Sequence, residues 1–402
     1  MPSTIDCVLL THGHLDHCSW LPLLVHQGFT GEIFCSNPTM AIAKLILLDS
    51  AKIQEDEAKK ANYEKYSKHE VAKPLYTVEQ AEKVFELFHV VKTNESISLT
   101  GAVTAKFTNA GHNIGACTIE VSCENKILVF SGDIGRDNDV LMFPPTKPKK
   151  ASYVFLESTY GDRIHPDVNA KAELEIEINT AFEKGGTVII PSFAVERAQG
   201  VMYLLWQLKL EGKIPDIPYI IDSPMGVSAF NIFFNNSNWH KISVADCVSM
   251  SKMFTMITDY RDTVEAIGNK KPKVVIAASG MVTGGRVLNY LEEYIDKPET
   301  TVILVGYQGE GTRGRKLIEG AVNVKIYGKI YSVLARVIEI KGLSAYGDQK
   351  DLLNWLSDLN SKPSKVFIVH GENQPADELR LKIIDRYGFD CCIPLLGQEF
   401  EL

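Results

Sequence analysis

The sequence has no apolar run near the roughly 18 residues that a bilayer crossing requires; its strongest candidates, such as residues 273–278, are short strands. A basic and then apolar leader is also missing. The chain opens Met1-Pro2-Ser3-Thr4-Ile5-Asp6, which predicts no export signal, no membrane partner and a cytoplasmic protein. The eight cysteines, Cys7, Cys18, Cys35, Cys117, Cys123, Cys247, Cys391 and Cys392, include no Cys-x-x-Cys pair. Buried free thiols are therefore expected rather than a disulfide framework or a thiolate zinc finger. Positive charge is not in excess, since 42 Lys and Arg against 50 Asp and Glu leave a net charge of −8. That balance excludes a protein that holds nucleic acid through an overall positive field, so any polyanion must be held locally. Neither an internal repeat nor a low-complexity tract is present, and 45% apolar with 23% charged residues excludes disordered, collagen-like and coiled-coil classes.

What is present is enough chain for two domains, or for one domain with a large insert: 402 residues exceed what one core usually supports. Strand-like and helix-like runs alternate almost throughout, which predicts an α/β fold with buried, parallel or mixed sheets. Residues 5–10 read as a strand and 15–27 as a helix. A long helix begins near Thr39 and becomes highly charged between Lys52 and Glu70, a solvated face. Residues 118–122 and 126–130 flank Cys123-Glu124-Asn125 as a hairpin, and 153–157 is a buried strand. Beyond Asp162 come four strand and helix alternations. After about Val333 the pattern is strand (336–340), helix (348–359), strand (365–369) and helix (376–387).

Thr11-His12-Gly13-His14-Leu15-Asp16-His17 is the most informative stretch. Three imidazoles and a carboxylate lie within six residues at a strand end, where a loop can turn successive side chains toward one point. These are the borderline-to-hard donors that zinc, manganese or iron accept. The motif resembles the signature loop of the metallo-β-lactamase fold. His112, in Asn109-Ala110-Gly111-His112, resembles that family's next ligand, and Asp133, in Phe130-Ser131-Gly132-Asp133, its bridging aspartate. Leu156-Glu157-Ser158-Thr159-Tyr160-Gly161-Asp162 resembles the acidic motif that opens the β-CASP branch, the relatives that cut nucleic acids. Four later stretches resemble that branch's inserted domain: Pro191 to Gln199, Asp222-Ser223-Pro224-Met225, Ser279-Gly280-Met281 with Gly284-Gly285-Arg286, and Gly306-Tyr307-Gln308. His370, in Val369-His370-Gly371-Glu372, is similar to the last ligand of the RNA-processing members.

The resemblance covers essentially the whole chain and implies an αββα metallo-β-lactamase sandwich built from residues 1–161 and 336–402. Residues 162–335 would form an inserted α/β β-CASP domain, with the active cleft between the two. It implies that His12, His14 and His112 hold one metal, that Asp16, His17 and His370 hold a second, and that Asp133 bridges them. Two zinc ions are the expected cofactors, manganese being an alternative for the same donors. A cation pair about 3.5 to 4 Å apart supplies hydroxide at neutral pH and stabilises in-line attack on phosphorus. Asp16 also orients the hydroxide, and Glu157 orients a general acid or a ligating histidine. The expected reaction is hydrolysis of RNA, single-stranded, as an endonuclease, a 5′ exonuclease, or both. Arg197, Arg286, Arg313 and Lys316 are the candidate phosphate contacts, the last two beside the Gly309 to Gly314 glycines.

Two departures stand out. Tyr346, in Leu343-Ser344-Ala345-Tyr346-Gly347-Asp348, occupies the place of the histidine that protonates the leaving oxygen in relatives. A phenol can still give a proton to an alkoxide or a hydrogen bond to phosphate; a structural tyrosine in a catalytically weak RNA-binding subunit is the competing reading. A small-molecule hydrolase of the same fold is the third. The second departure is that relatives carry strands and an aspartate motif ahead of the His-rich loop, which predicts a chain truncated before Met1.

Overall fold

The computed structural model describes residues 1–402 except Tyr66 and Asp167. Two compact units divide the chain, Met1–Ile164 with Tyr346–Leu402, and His165–Ala345.

The first unit contains two sheets. Cys7–Leu9, Glu32–Cys35 and Phe88–Val90 pair in that order, all parallel. The larger sheet runs Cys391–Cys392, Lys365–Val369, Tyr153–Glu157, Lys126–Phe130, Cys117–Cys123, Thr104–Asn109, Ser96–Ser98. Its first four strands are parallel and the rest antiparallel. Side chains that alternate along these strands separate two faces. Val129, Val154, Leu156, Val366 and Ile368 pack against Leu352, Leu356, Leu379 and Ile383 of the helices Gln349–Trp355 and Asn373–Tyr387 and the short turn between them. On the other face Phe130, Phe155 and Phe367 stack across three strands, with ring centroids 4.5 and 4.7 Å apart. The expected hairpin is present, and Glu124 and Asn125 turn it with φ of 48° and 67°, the primed-turn geometry that a two-residue connection favours.

Helix Asn37–Glu64 starts where the Ser36 hydroxyl accepts from the Thr39 amide. Its first half buries Ile42, Ala43, Ile46, Leu47 and Ala51, and beyond Lys52 it is mostly solvated, as the charge pattern predicts. Ser36 and Thr39 also donate to the Gly115 carbonyl, at 2.7 and 2.8 Å, tying this helix start to the loop after His112.

The second unit is a six-stranded, wholly parallel sheet in the order Phe254–Ile257, Tyr219–Asp222, Lys273–Ala277, Thr187–Pro191, Thr301–Leu304, Arg336–Glu339. The central strands are buried on both faces, which explains their uninterrupted apolar runs. Ile190, Ile221, Val274 and Ile276 face helices Ala170–Glu183 and Arg197–Leu210; Ile189, Ile220, Val275 and Val302 face Val287–Tyr294. Arg336–Glu339 hydrogen-bonds along Thr301–Leu304 as the edge of this sheet, and the compact unit runs to Ala345. A strand whose partner is 35 residues upstream looks the same in sequence whichever sheet it joins.

Candidate metal centre

The seven expected ligands all lie in the first unit and come together there. His12 and His14 leave the end of strand Cys7–Leu9 on a loop laid against helix Asn37–Glu64; a Cβ on Gly13 would meet Ile42 and the Ala43 backbone. Asp16 and His17 ride the short helix Leu15–Cys18, for which His14 is the N-cap. His112 follows Thr104–Asn109, Asp133 follows Lys126–Phe130, and His370 follows Lys365–Val369. His112, Asp133 and His370 therefore stand where a strand has just ended. His370 has φ 52°, strained for a residue with a Cβ, and its carbonyl accepts from the Ser158 amide.

Two donor groups result: His12, His14, His112 and Asp133, and beside them Asp16, His17 and His370, each within 4.8 Å among its donor atoms. His14 Nδ1 lies 3.2 Å from both His12 Nε2 and His112 Nε2. Asp133 faces both groups. Its Oδ2 is 3.4 Å from His12 Nε2 and 3.5 Å from His112 Nε2, while its Oδ1 is 3.3 Å from His17 Nε2 and 3.3 Å from His370 Nδ1. His370 Nε2 is 3.3 Å from Asp16 Oδ2.

The electrostatics test whether these residues fit cations. Burial lowers the pKa of His12, His112 and His14, that of His14 to about 3, so the first group presents neutral imidazoles with free lone pairs. Burial also opposes a charge on His17, but Asp133 and Asp16 outweigh it and push that pKa up to about 10. Asp133 is held well below the carboxylate range by the imidazoles around it, against its own burial, and neither of its oxygens has a hydrogen-bond partner. An ionised, buried carboxylate whose Oδ2 faces the nitrogens of the neutral imidazoles His12 and His112 is a costly arrangement that a cation relieves. The donor set fits divalent metals.

Three loops around the centre are joined through backbone. Ile134, next to Asp133, gives its N–H to Glu157 Oε1 at 2.6 Å, and its carbonyl accepts from Gly347 N at 2.7 Å. Gly135 N donates to Ala110 O at 2.9 Å. A Cβ on Gly135 would overlap the Gly111 carbonyl, so only glycine allows the His112 and Asp133 loops to approach this closely. Glu157 Oε2 also accepts from Thr159 N at 3.2 Å, and the Thr159 hydroxyl lies 3.4 Å from His370 Nδ1. Glu157 is thus wholly buried and anchors the loops that carry Asp133 and Thr159; burial and then the Asp133 charge raise its pKa to about 8. Tyr346 sits with its ring 4.5 Å from that of His112 and 5.8 Å from that of Tyr160. Burial, then Asp133, Glu157 and Asp16, push its pKa far above the ordinary phenol value, so the hydroxyl keeps its proton.

The phosphate candidates lie in the second unit. Arg286 donates to Asp222 Oδ1 at 2.6 Å and to Thr258 O at 2.5 Å. Arg313 donates to the Lys325, Val282 and Thr283 carbonyls at 2.7 to 3.1 Å. Arg197 is buried with its guanidinium 3.4 Å from Glu196, and Lys316 is exposed. Sequence reading missed the Gly135 junction, Thr159 and Asn113, none of which carries a spacing signal of its own.

Three family descriptions match successive parts of the chain. Residues 1–168 match the metallo-beta-lactamase superfamily, 198–317 the Beta-Casp domain, and 330–394 the Zn-dependent metallo-hydrolase RNA specificity domain. The chain is similar to a ribonuclease of Thermus thermophilus, 31% identical over 93% of this chain and 83% of that one. It is also similar to an RNase J-like protein of Methanocaldococcus jannaschii, 27% identical over 98% and 88%. Transcription termination factor FttA of Methanosarcina mazei is 28% identical over 93% of this chain, which spans 60% of that longer relative. Among solved structures, a protein of unknown function from Enterococcus faecalis aligns over 98% of this chain and 80% of its own with a TM-score of 0.52 and 11% identity, a likeness of fold alone.

Proposed function

The chain belongs to the β-CASP ribonucleases of the metallo-β-lactamase fold, metal-dependent hydrolases, and we propose that it cuts RNA phosphodiester bonds at two zinc ions held by its seven converging side chains. His12, His14 and His112 would hold one ion, Asp16, His17 and His370 the other, with Asp133 giving one oxygen to each. The observation that carries this reading is the Asp133 carboxylate, buried and pointed with one oxygen at each donor group. When bound, such cations lower the pKa of water and neutralise charge that builds on a phosphate under in-line attack.

The chain's own residues do the rest. Asp16, with its side chain 58% exposed, reaches solvent and is placed to orient the attacking water. Glu157 and Gly135 hold the Asp133 loop in register with His112. Tyr346 keeps its phenolic proton and donates a hydrogen bond to the phosphate or to the departing ribose oxygen. Single-stranded RNA is the proposed substrate and the cytoplasm the proposed location; among the described residues no helix is long and apolar enough to cross a membrane. Lys316, exposed in the second unit, would supply a local contact to a backbone that the net charge of −8 would otherwise repel, whereas Arg197, Arg286 and Arg313 are engaged within the protein.

Zinc content together with cleavage of labelled RNA, labelled DNA and a small phosphodiester tests the proposal. RNA is expected to be cut in preference. His14→Ala is expected to lose metal and to abolish cleavage; equal cleavage of RNA by that variant would refute the assignment.

A further inference from the structure

Asn113 lies directly after His112, is wholly buried, and sits against the second nitrogen of another ligand: its side-chain amide is 3.2 Å from His14 Nε2. As placed, the amide nitrogen faces the imidazole and the amide oxygen Oδ1 has no hydrogen-bond partner. Both features conflict with the chemistry on the other side of the ring. His14 Nδ1 points at His12 Nε2 and His112 Nε2, both 3.2 Å away, in the donor group that also contains Asp133. A neutral imidazole has one hydrogen. If Nδ1 offers its lone pair to a cation, the hydrogen is on Nε2 and must be donated. An –NH2 group has no lone pair to accept it.

Turning the amide by 180° exchanges two atoms of nearly equal size and removes both conflicts together. Oδ1 then accepts from Nε2–H, and no acceptor is left stranded beside the imidazole. We infer that Asn113 presents Oδ1 to His14 Nε2–H, and is a positioning residue that fixes the His14 tautomer and ring plane in which Nδ1 is available to metal. This rests on the metal site proposed above. A neutral acceptor here holds the ring without adding charge, in the manner of the outer partners that orient ligating histidines. His12 and His370 have similar neighbours, since Thr11 Oγ1 is 3.3 Å from His12 Nδ1 and Thr159 Oγ1 is 3.4 Å from His370 Nδ1. Asn113 differs from these hydroxyls in that its accepting atom can be exchanged for a donor or removed at constant shape.

The test uses the full chain, zinc as the probe, and three versions of position 113. Asn113→Leu has nearly the same shape and no acceptor, and is expected to weaken zinc binding about 10- to 100-fold, measured by chelator competition. Asn113→Asp can only accept, and is expected to bind zinc as tightly as the unsubstituted chain or more tightly. Long-range proton–nitrogen spectra of histidine-labelled, zinc-loaded protein are expected to show His14 protonated at Nε2, and circular dichroism checks that each variant is folded. Loss of affinity in Asn113→Asp equal to that in Asn113→Leu, or a His14 hydrogen on Nδ1 in zinc-loaded protein, overturns the role of Asn113 and leaves the metal site standing. Failure of the unsubstituted chain to take up zinc overturns both.

Discussion

In the proposed reaction a single residue, Tyr346, meets the departing oxygen or the phosphate. Its phenol is protonated by burial and by the carboxylates around it, so it is suited to donating a hydrogen bond more than to releasing a proton. Tyr346→Phe is expected to slow RNA cleavage at least about tenfold while zinc content stays unchanged; an unaltered rate removes the hydroxyl from the mechanism. The seven converging side chains stood out in sequence because histidines and aspartates crowd one strand end and recur, in order, after later strands. Asn113 was not legible, because its role is defined by the far side of an imidazole 99 positions away in sequence. Arg286 shows a different gap: sequence marks an arginine at a helix start, and the structure turns it onto the buried Asp222 carboxylate.

Elements place these residues by backbone contact. The His112 and Asp133 loops touch at Gly111 and Gly135, where any side chain would collide with a carbonyl. Gly135→Ala is expected to cost at least about 2 kcal/mol of stability and to reduce zinc binding, read from urea unfolding and metal content, because the loops must separate. In the inserted unit, Lys273 opens a central strand, is buried, and donates to Tyr294 Oη at 3.0 Å and to the Asn269 carbonyl. Burial, then Lys270 and Lys297, lower its pKa to about 8. The folded chain therefore binds fewer protons than the unfolded one between pH 8 and about 10.4, so stability from this group rises with pH across that window and is flat below it. Unfolding of the wild type relative to Lys273→Met, measured from pH 7 to pH 10.5, is expected to show that rise; a difference independent of pH counts against it. Strand and helix positions were legible from alternation and capping residues, whereas the pairing of Arg336–Glu339 was not, since hydrogen-bond partners in a parallel sheet are chosen across distance and not by composition.

Charge acts at the level of the whole molecule. With a net charge of −8, RNA is expected to be held through a few local contacts. The slope of log Kd against log salt is therefore expected to stay below about 4, each phosphate contact on a single strand contributing roughly 0.7; a steeper slope, measured by titration in rising KCl, points to a broad basic face instead. The metallo-β-lactamase core with an inserted α/β domain was legible at this scale because its motifs keep their order along the chain, whereas the strand Arg336–Glu339 gave no sign in sequence of which sheet it joins.

Asp16 and His370 meet across 354 positions of sequence, and His370 reaches its place only after Lys365–Val369 has paired with Tyr153–Glu157. During synthesis on the ribosome, the emerging polypeptide has three imidazoles and a carboxylate assembled long before the final histidine has left the exit tunnel. A half-made molecule therefore lacks the imidazole that completes the second donor group, and the ion site proposed there is able to form only when translation is almost finished.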